Sequence, residues 1–175
     1  MSKDLNALHP YVKYLAEQHL AQCKKAGLHP TVTSTLRTMQ EQADIYAIGR
    51  TKPGSILTYT KAGYSMHNYG LAYDLSFPTN AEYTKAAAIG KRLGLTWGGD
   101  FIVGGKPFVD RPHFQWTGGL STTDLLKGKR PDDPRTVTVK EFQAAFGLEV
   151  DGIVGKITKG KMEEVLTLIK KYVKG

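Results

Sequence analysis

Apolar residues recur at helical spacing over residues 6–25, where Val12, Leu15, Ala16, Leu20 and Cys23 share one face and Ala26-Gly27 supplies a stop. The period then changes. Thr31-Val-Thr-Ser-Thr-Leu36 alternates and is rich in β-branched residues, which predicts a strand ending at Arg37. Thr38 suits the N-cap of a helix reaching Ile48, closed by Gly49. A turn at Thr51-Lys-Pro-Gly-Ser-Ile56 and a loosely structured loop lead to Ser65. Alternation resumes over residues 71–77 and predicts a strand carrying Asp74, with Pro78-Thr-Asn80 as turn and helix cap. A helix over 81–93 stops at Gly94, a Gly-rich segment opens with Leu95-Thr-Trp97-Gly-Gly-Asp100, and Pro112-His-Phe-Gln-Trp116 reads as a last short strand. Helices and short strands mix without a strand–helix–strand repeat. The expected class is therefore α+β, a small, mainly antiparallel sheet flanked by helices.

Polar, Pro/Gly-rich stretches at Gly118-Gly-Leu-Ser-Thr-Thr123 and Lys127-Gly-Lys-Arg-Pro-Asp-Asp-Pro134 mark a domain boundary. The expected division is a domain over 1–120, a linker over 121–134 and a small helical domain over 135–175. The last holds a helix over 137–146, a turn at Asp151-Gly-Ile-Val-Gly155 and a helix from Thr158 to Val173. About 40 residues is marginal for independent stability.

The 175 residues carry a net charge of +8, and residues 1–130 account for +7 of it. A basic surface favours polyanionic surroundings, such as nucleic acid, anionic membrane or an acidic wall polymer. No Lys/Arg run interleaved with aromatics marks a nucleic-acid surface, so nucleic acid is not an expected partner. No apolar run approaches the roughly 18–20 residues of a membrane-spanning helix, so no membrane insertion is expected. The N-terminus lacks a basic region followed by an apolar core, which predicts synthesis into the cytoplasm without a signal peptide. Cys23, the single cysteine, allows no intramolecular disulfide and reads as a buried structural thiol. A monomer is expected.

The chemistry concentrates in Ser65-Met-His67-Asn-Tyr-Gly70-Leu-Ala72-Tyr-Asp74 and, downstream, Asp110-Arg-Pro-His113. Two imidazoles and one carboxylate, with a fourth position open to water, are what a catalytic zinc site needs. Gly70 and the alternation after it favour a turn into a strand that folds His67 and Asp74 toward one point. Asp110, three residues before His113, is the candidate general base. Arg37, at a strand end, is a candidate to steady an oxyanion or grip a substrate carboxylate. Gln42 is expected to support the loop or nearby backbone, and Trp97-Gly-Gly-Asp100 to form either cleft wall or core. Taken singly, each residue has a plainer reading: polar histidine, turn carboxylate beside Arg111, strand-end arginine.

Together they are specific. The pattern S-x-H-x-x-G-x-A-x-D followed by D-x-P-H resembles the zinc peptidase family of bacterial D-alanyl-D-alanine carboxypeptidases and L-alanyl-D-glutamate endopeptidases. The longer string from Leu36-Arg-Thr through Glu-Gln and Ile-Tyr-Ala-Ile-Gly-Arg-Thr-Lys-Pro-Gly to Asp74, with Trp97-Gly-Gly-Asp and Pro112-His-Phe-Gln, is most similar to the L-alanyl-D-glutamate branch of phage endolysins. The resemblance implies one zinc ion held by His67, Asp74 and His113, with Asp110 as base, Arg37 as substrate or oxyanion contact and Ser65 as a substrate hydrogen-bond partner. Many members carry Glu where this chain has Asp110, so the shorter side chain must be compensated by geometry. Val139-Lys-Glu-Phe-Gln143, Phe-Gly-Leu and Val-Asp151-Gly-Ile-Val-Gly155-Lys-Ile-Thr158 resemble the helical peptidoglycan-binding domain of cell-wall hydrolases, although shorter and with Lys156 where that domain carries Pro. The implied activity is hydrolysis of the L-Ala–D-Glu bond of peptidoglycan stem peptides by an endolysin that reaches the wall after membrane permeabilisation. The rivals are a D-alanyl-D-alanine carboxypeptidase and a non-catalytic wall-binding protein with structural zinc.

Overall fold

The computed structural model describes residues 1–172. They divide into two compact units, Met1–Asp133 and the described residues from Pro134 onward. The first contains α1 (Pro10–Lys25), β1 (Thr31–Ser34), α2 (Met39–Ala47), β2 (Ala72–Ser76), α3 (Asn80–Arg92), β3 (Thr96–Trp97), β4 (Ile102–Val103), β5 (Lys106–Pro107), β6 (His113–Gln115) and α4 (Thr122–Leu126). Its main sheet runs β1-β2-β6-β3 with every neighbouring pair antiparallel. This is the expected α+β architecture.

The two-residue period of a strand separates core from chemistry. Tyr73 and Leu75 of β2, with Phe114 of β6 opposite Tyr73, are buried in one cluster with Val12, Leu15, Ala16 and Cys23 of α1 and Ala86 and Ile89 of α3. Asp74 and His113 face each other on the opposite side of the same strands. Cys23 is buried and burial raises its thiol pKa to about 11, as suits an inert packing residue. His19 rather than the half-buried Leu20 completes the buried face of α1. Its Nε2 donates to the Ala86 carbonyl at 2.9 Å and its Nδ1 accepts from the Tyr73 hydroxyl at 2.8 Å, so one imidazole ties α1 to α3 and to the sheet. Burial lowers its pKa to about 4.

Three elements differ from the sequence reading. The first helix begins at Pro10 rather than Asn6, because proline is favoured at the first helical position and His9 caps it, while Leu5–Ala7 form a separate 3-10 turn. Between β3 and β6 lies a hairpin, β4–β5, whose turn residues Gly104 and Gly105 have φ of 58° and 75°. Two successive positive φ values make the tight turn that right-twisted strands accept. The stretch 121–134, expected as a linker, contains α4, opened by a Ser121–Asp124 capping box and anchored by Leu125 in the core.

The second unit holds α5 (Val139–Ala145), capped by a Thr138–Glu141 box, and α6 (Lys156–Tyr172). The expected end of α6 at Val173 lies outside the described residues. Gln143 is buried and donates to Asp151 Oδ1 at 2.7 Å, the Ile153 carbonyl at 3.1 Å and Thr158 Oγ1 at 3.1 Å, while accepting from Gly152 N at 2.9 Å. A buried amide thus holds the Asp-Gly-Ile-Val-Gly turn against both helices. No helix among the described residues is long and apolar enough to cross a membrane.

Candidate metal centre

His67 sits in a 3-10 turn, Met66–Tyr69, that enters β2 through Gly70. Gly70 has φ of 67°, and a Cβ there would lie 3.1 Å from both the Ala7 carbonyl and the His9 amide. Only glycine turns the chain this sharply against that backbone. The turn is stitched to the segment after β1: Arg37 N donates to the His67 carbonyl at 3.1 Å, and Asn68 Nδ2 donates to the Arg37 carbonyl at 2.9 Å. The result carries His67 back over Asp74.

Three donor atoms converge. His67 Nε2 lies 3.2 Å from Asp74 Oδ1 and 3.2 Å from His113 Nδ1, and His113 Nδ1 lies 3.4 Å from Asp74 Oδ1. A tetrahedral zinc ion with bonds of roughly 2.0–2.1 Å sets its ligand atoms about 3.3 Å apart. The other ring nitrogens are already committed. His67 Nδ1 donates to the Thr35 carbonyl at 2.7 Å, and His113 Nε2 donates to Gln115 Oε1 at 2.9 Å. Neutral rings so held turn bare nitrogens toward each other and toward a carboxylate. Such a cluster is stable only with a cation among the three atoms, whether a ring proton or a metal ion. His67 and His113 are buried and Asp74 is half-buried. Burial alone would raise the Asp74 pKa, but the contacts with His113 and His67 outweigh it and hold the carboxylate well below its usual range.

The other candidates line the same cleft, a cavity of about 590 Å³. Arg37 directs Nη2 toward Asp74 Oδ2 at 3.9 Å and donates from Nη1 to Gln42 Oε1 at 2.9 Å. Burial lowers its pKa, against the opposing pull of Asp74. Gln42 is fully buried and donates to the Thr60 carbonyl at 2.6 Å, so it supports the arginine and the loop. Asp110 lines the cleft, and burial raises its pKa above the ordinary carboxylate value, with His113 pulling the other way. Ser65, buried at the start of the His67 turn, makes no side-chain cap bond and also lines the cleft. Trp97 packs against the core and is absent from the cleft lining.

Sequence reasoning missed Gln115, the Thr35 carbonyl and the apolar walls. Gln115 follows His113 by two residues on a strand, a spacing that puts both on one face and could have flagged it. One wall comes from Phe101, Val103 and Phe108 around the unexpected hairpin, and another from Leu57 and Tyr64 of the long loop. Apolar walls, an arginine and one further carboxylate, Asp110, thus surround a triad able to hold a metal ion, the make-up of a ligand-binding cleft.

Comparison with known proteins agrees. Residues 58–116 match the family model described as D-alanyl-D-alanine carboxypeptidase, and residues 133–162 match a peptidoglycan-binding domain. The chain is 35% identical over 125 residues to the peptidoglycan L-alanyl-D-glutamate endopeptidase CwlK of Bacillus subtilis strain 168, covering 62% of this chain and 72% of that protein. The fold resembles the crystal structure of the Serratia marcescens L-Ala D-Glu endopeptidase ChiX, with a TM-score of 0.50 and 23% identity over 66% of this chain and 84% of that one. The chain therefore belongs to the family of peptidoglycan peptidases that includes the D-alanyl-D-alanine carboxypeptidases and the L-alanyl-D-glutamate endopeptidases.

Proposed function

We propose that this peptidase is a zinc-dependent endopeptidase that hydrolyses the L-Ala–D-Glu bond of peptidoglycan stem peptides and lyses the wall as an endolysin. The observation that carries the reading is the triangle of His67 Nε2, Asp74 Oδ1 and His113 Nδ1, spaced as zinc ligands are and facing an open cleft. These three atoms would hold one zinc ion. Bound there, zinc supplies Lewis acidity and lowers the pKa of a water toward roughly 7. Asp110 takes the proton from the water that attacks the scissile carbonyl. A carbon–oxygen bond forms, the carbon–nitrogen bond breaks, and Asp110 delivers the proton to the leaving amine. Arg37, with Nη1 held by Gln42, meets the charge that develops on the carbonyl oxygen or grips a substrate carboxylate. Ser65 offers its hydroxyl to the bound peptide.

The choice of bond leans on the 35% identity to an L-alanyl-D-glutamate endopeptidase. We assign the hydrolysis to the first unit and wall attachment to the second, whose residues match a peptidoglycan-binding domain. The basic excess of residues 1–130 suits an anionic wall. The test is turbidity loss of purified walls. Chelation should abolish it and zinc should restore it, while His67→Ala should abolish it with folding and wall binding intact. Undiminished lysis by His67→Ala would sink the reading.

A further inference from the structure

The segment that carries Asp110 is pinned along its backbone. Asp110 N donates to the Gly98 carbonyl at 3.0 Å, the Pro112 carbonyl accepts from Leu75 N at 2.9 Å, and His113 enters the sheet opposite Asp74. The carbonyl between these anchors, that of Arg111, accepts from the indole N–H of Trp97 at 2.8 Å. Gly98 allows the close approach: a Cβ there would lie 2.4 Å from the Asp110 carbonyl oxygen. Trp97 and Gly98 together grip one side of the turn between Asp110 and His113. Neither touches the cleft through its side chain, since Trp97 packs against the core and Gly98 has none.

We propose that Trp97 is a positioning residue for Asp110, acting through the Arg111 carbonyl. The inference rests on Asp110 being the base. Its physical basis is reach. An aspartate carboxylate has one methylene and one rotor fewer than glutamate, so its place in the cleft follows its backbone more closely. A longer acid tolerates a mobile segment by re-aiming its own side chain, whereas an aspartate does not. The Trp97–Arg111 bond, added to the other three anchors, therefore fixes the distance over which the short carboxylate must work.

The test compares Trp97→Phe, Asp110→Glu and the double variant by kcat and KM on soluble stem peptide, with zinc affinity measured by chelator competition. Trp97→Phe should lower kcat about tenfold or more, because small misplacements of a catalytic group cost rate rather than binding. KM and zinc affinity should stay near those of the parent. Adding Asp110→Glu to Trp97→Phe should recover part of the loss, since the longer side chain can follow a segment that has moved. A residue that only packs would show no such rescue. Benzothienylalanine at position 97 keeps the bicyclic ring and removes only the N–H, so it tests the bond without disturbing the core. Parent-like kcat in that variant would overturn the proposal. Parent-like activity of Asp110→Asn would instead overturn the base assignment itself, which separates the two failures.

Discussion

At the scale of single residues, each ring of the candidate centre is held by the nitrogen it does not turn toward the cluster. Gln115 Oε1 accepts from His113 Nε2 at 2.9 Å, which keeps Nδ1 bare and aimed. Gln115→Leu should weaken zinc binding about tenfold to a hundredfold, read by chelator competition, with little change in melting temperature. Asp110→Asn should reduce hydrolysis by about a hundredfold or more while zinc still binds, because the amide cannot take the proton. Parent-like zinc affinity in the first variant, or parent-like turnover in the second, would remove the assigned role. The convergence of His67, Asp74 and His113 was legible in the sequence because motif spacing brings two close together and the third stands beside an acid and a proline. Gln115 was not, since a glutamine carries no charge signal and its role depends on which face of a three-residue strand it occupies.

Elements explain how the centre is held. Alternation in β2 sends Tyr73 and Leu75 into the core and Asp74 to the other face, so the same two-residue period that builds the sheet delivers a candidate ligand. His19 locks α1 and α3 to that sheet as a neutral ring, with its pKa lowered to about 4. Below pH 6.5 the unfolded imidazole takes a proton that the folded one refuses. Its contribution to stability is therefore full above pH 6.5 and declines as the pH falls to about 4. The loss should approach about 3 kcal/mol, seen in denaturant midpoints as a pH slope that His19→Gln flattens. Gly98→Ala is a second test at this scale. Its Cβ would meet the Asp110 carbonyl and lie 2.9 Å from His113 Cβ, so zinc affinity and turnover should fall together. The cost in stability should be about 1–3 kcal/mol by thermal unfolding. The sheet, α2 and α3 were legible from periodicity and caps. The β4–β5 hairpin was not, because two-residue strands are too short for alternation to register, although paired glycines marked its turn.

Across the whole molecule, the first unit contains every candidate catalytic residue and a complete core, while the second contributes helices bound around a buried glutamine. The stretch 121–134 looked like a linker because its composition is polar, and one apolar residue, Leu125, anchors its helix in the first unit. A chain truncated after Asp133 should still hydrolyse soluble stem peptides at a parent-like rate but clear intact walls more slowly, with weaker sedimentation on purified peptidoglycan. Equal wall binding by the truncated chain would remove the role assigned to the second unit. Which bond the proposed His67–Asp74–His113 centre cuts is read by mass spectrometry of soluble muropeptides digested by the zinc-loaded chain. Cleavage between L-Ala and D-Glu should give fragments ending at L-Ala together with peptides bearing a new amino terminus on D-Glu. Release of terminal D-Ala with the L-Ala–D-Glu bond intact would contradict it.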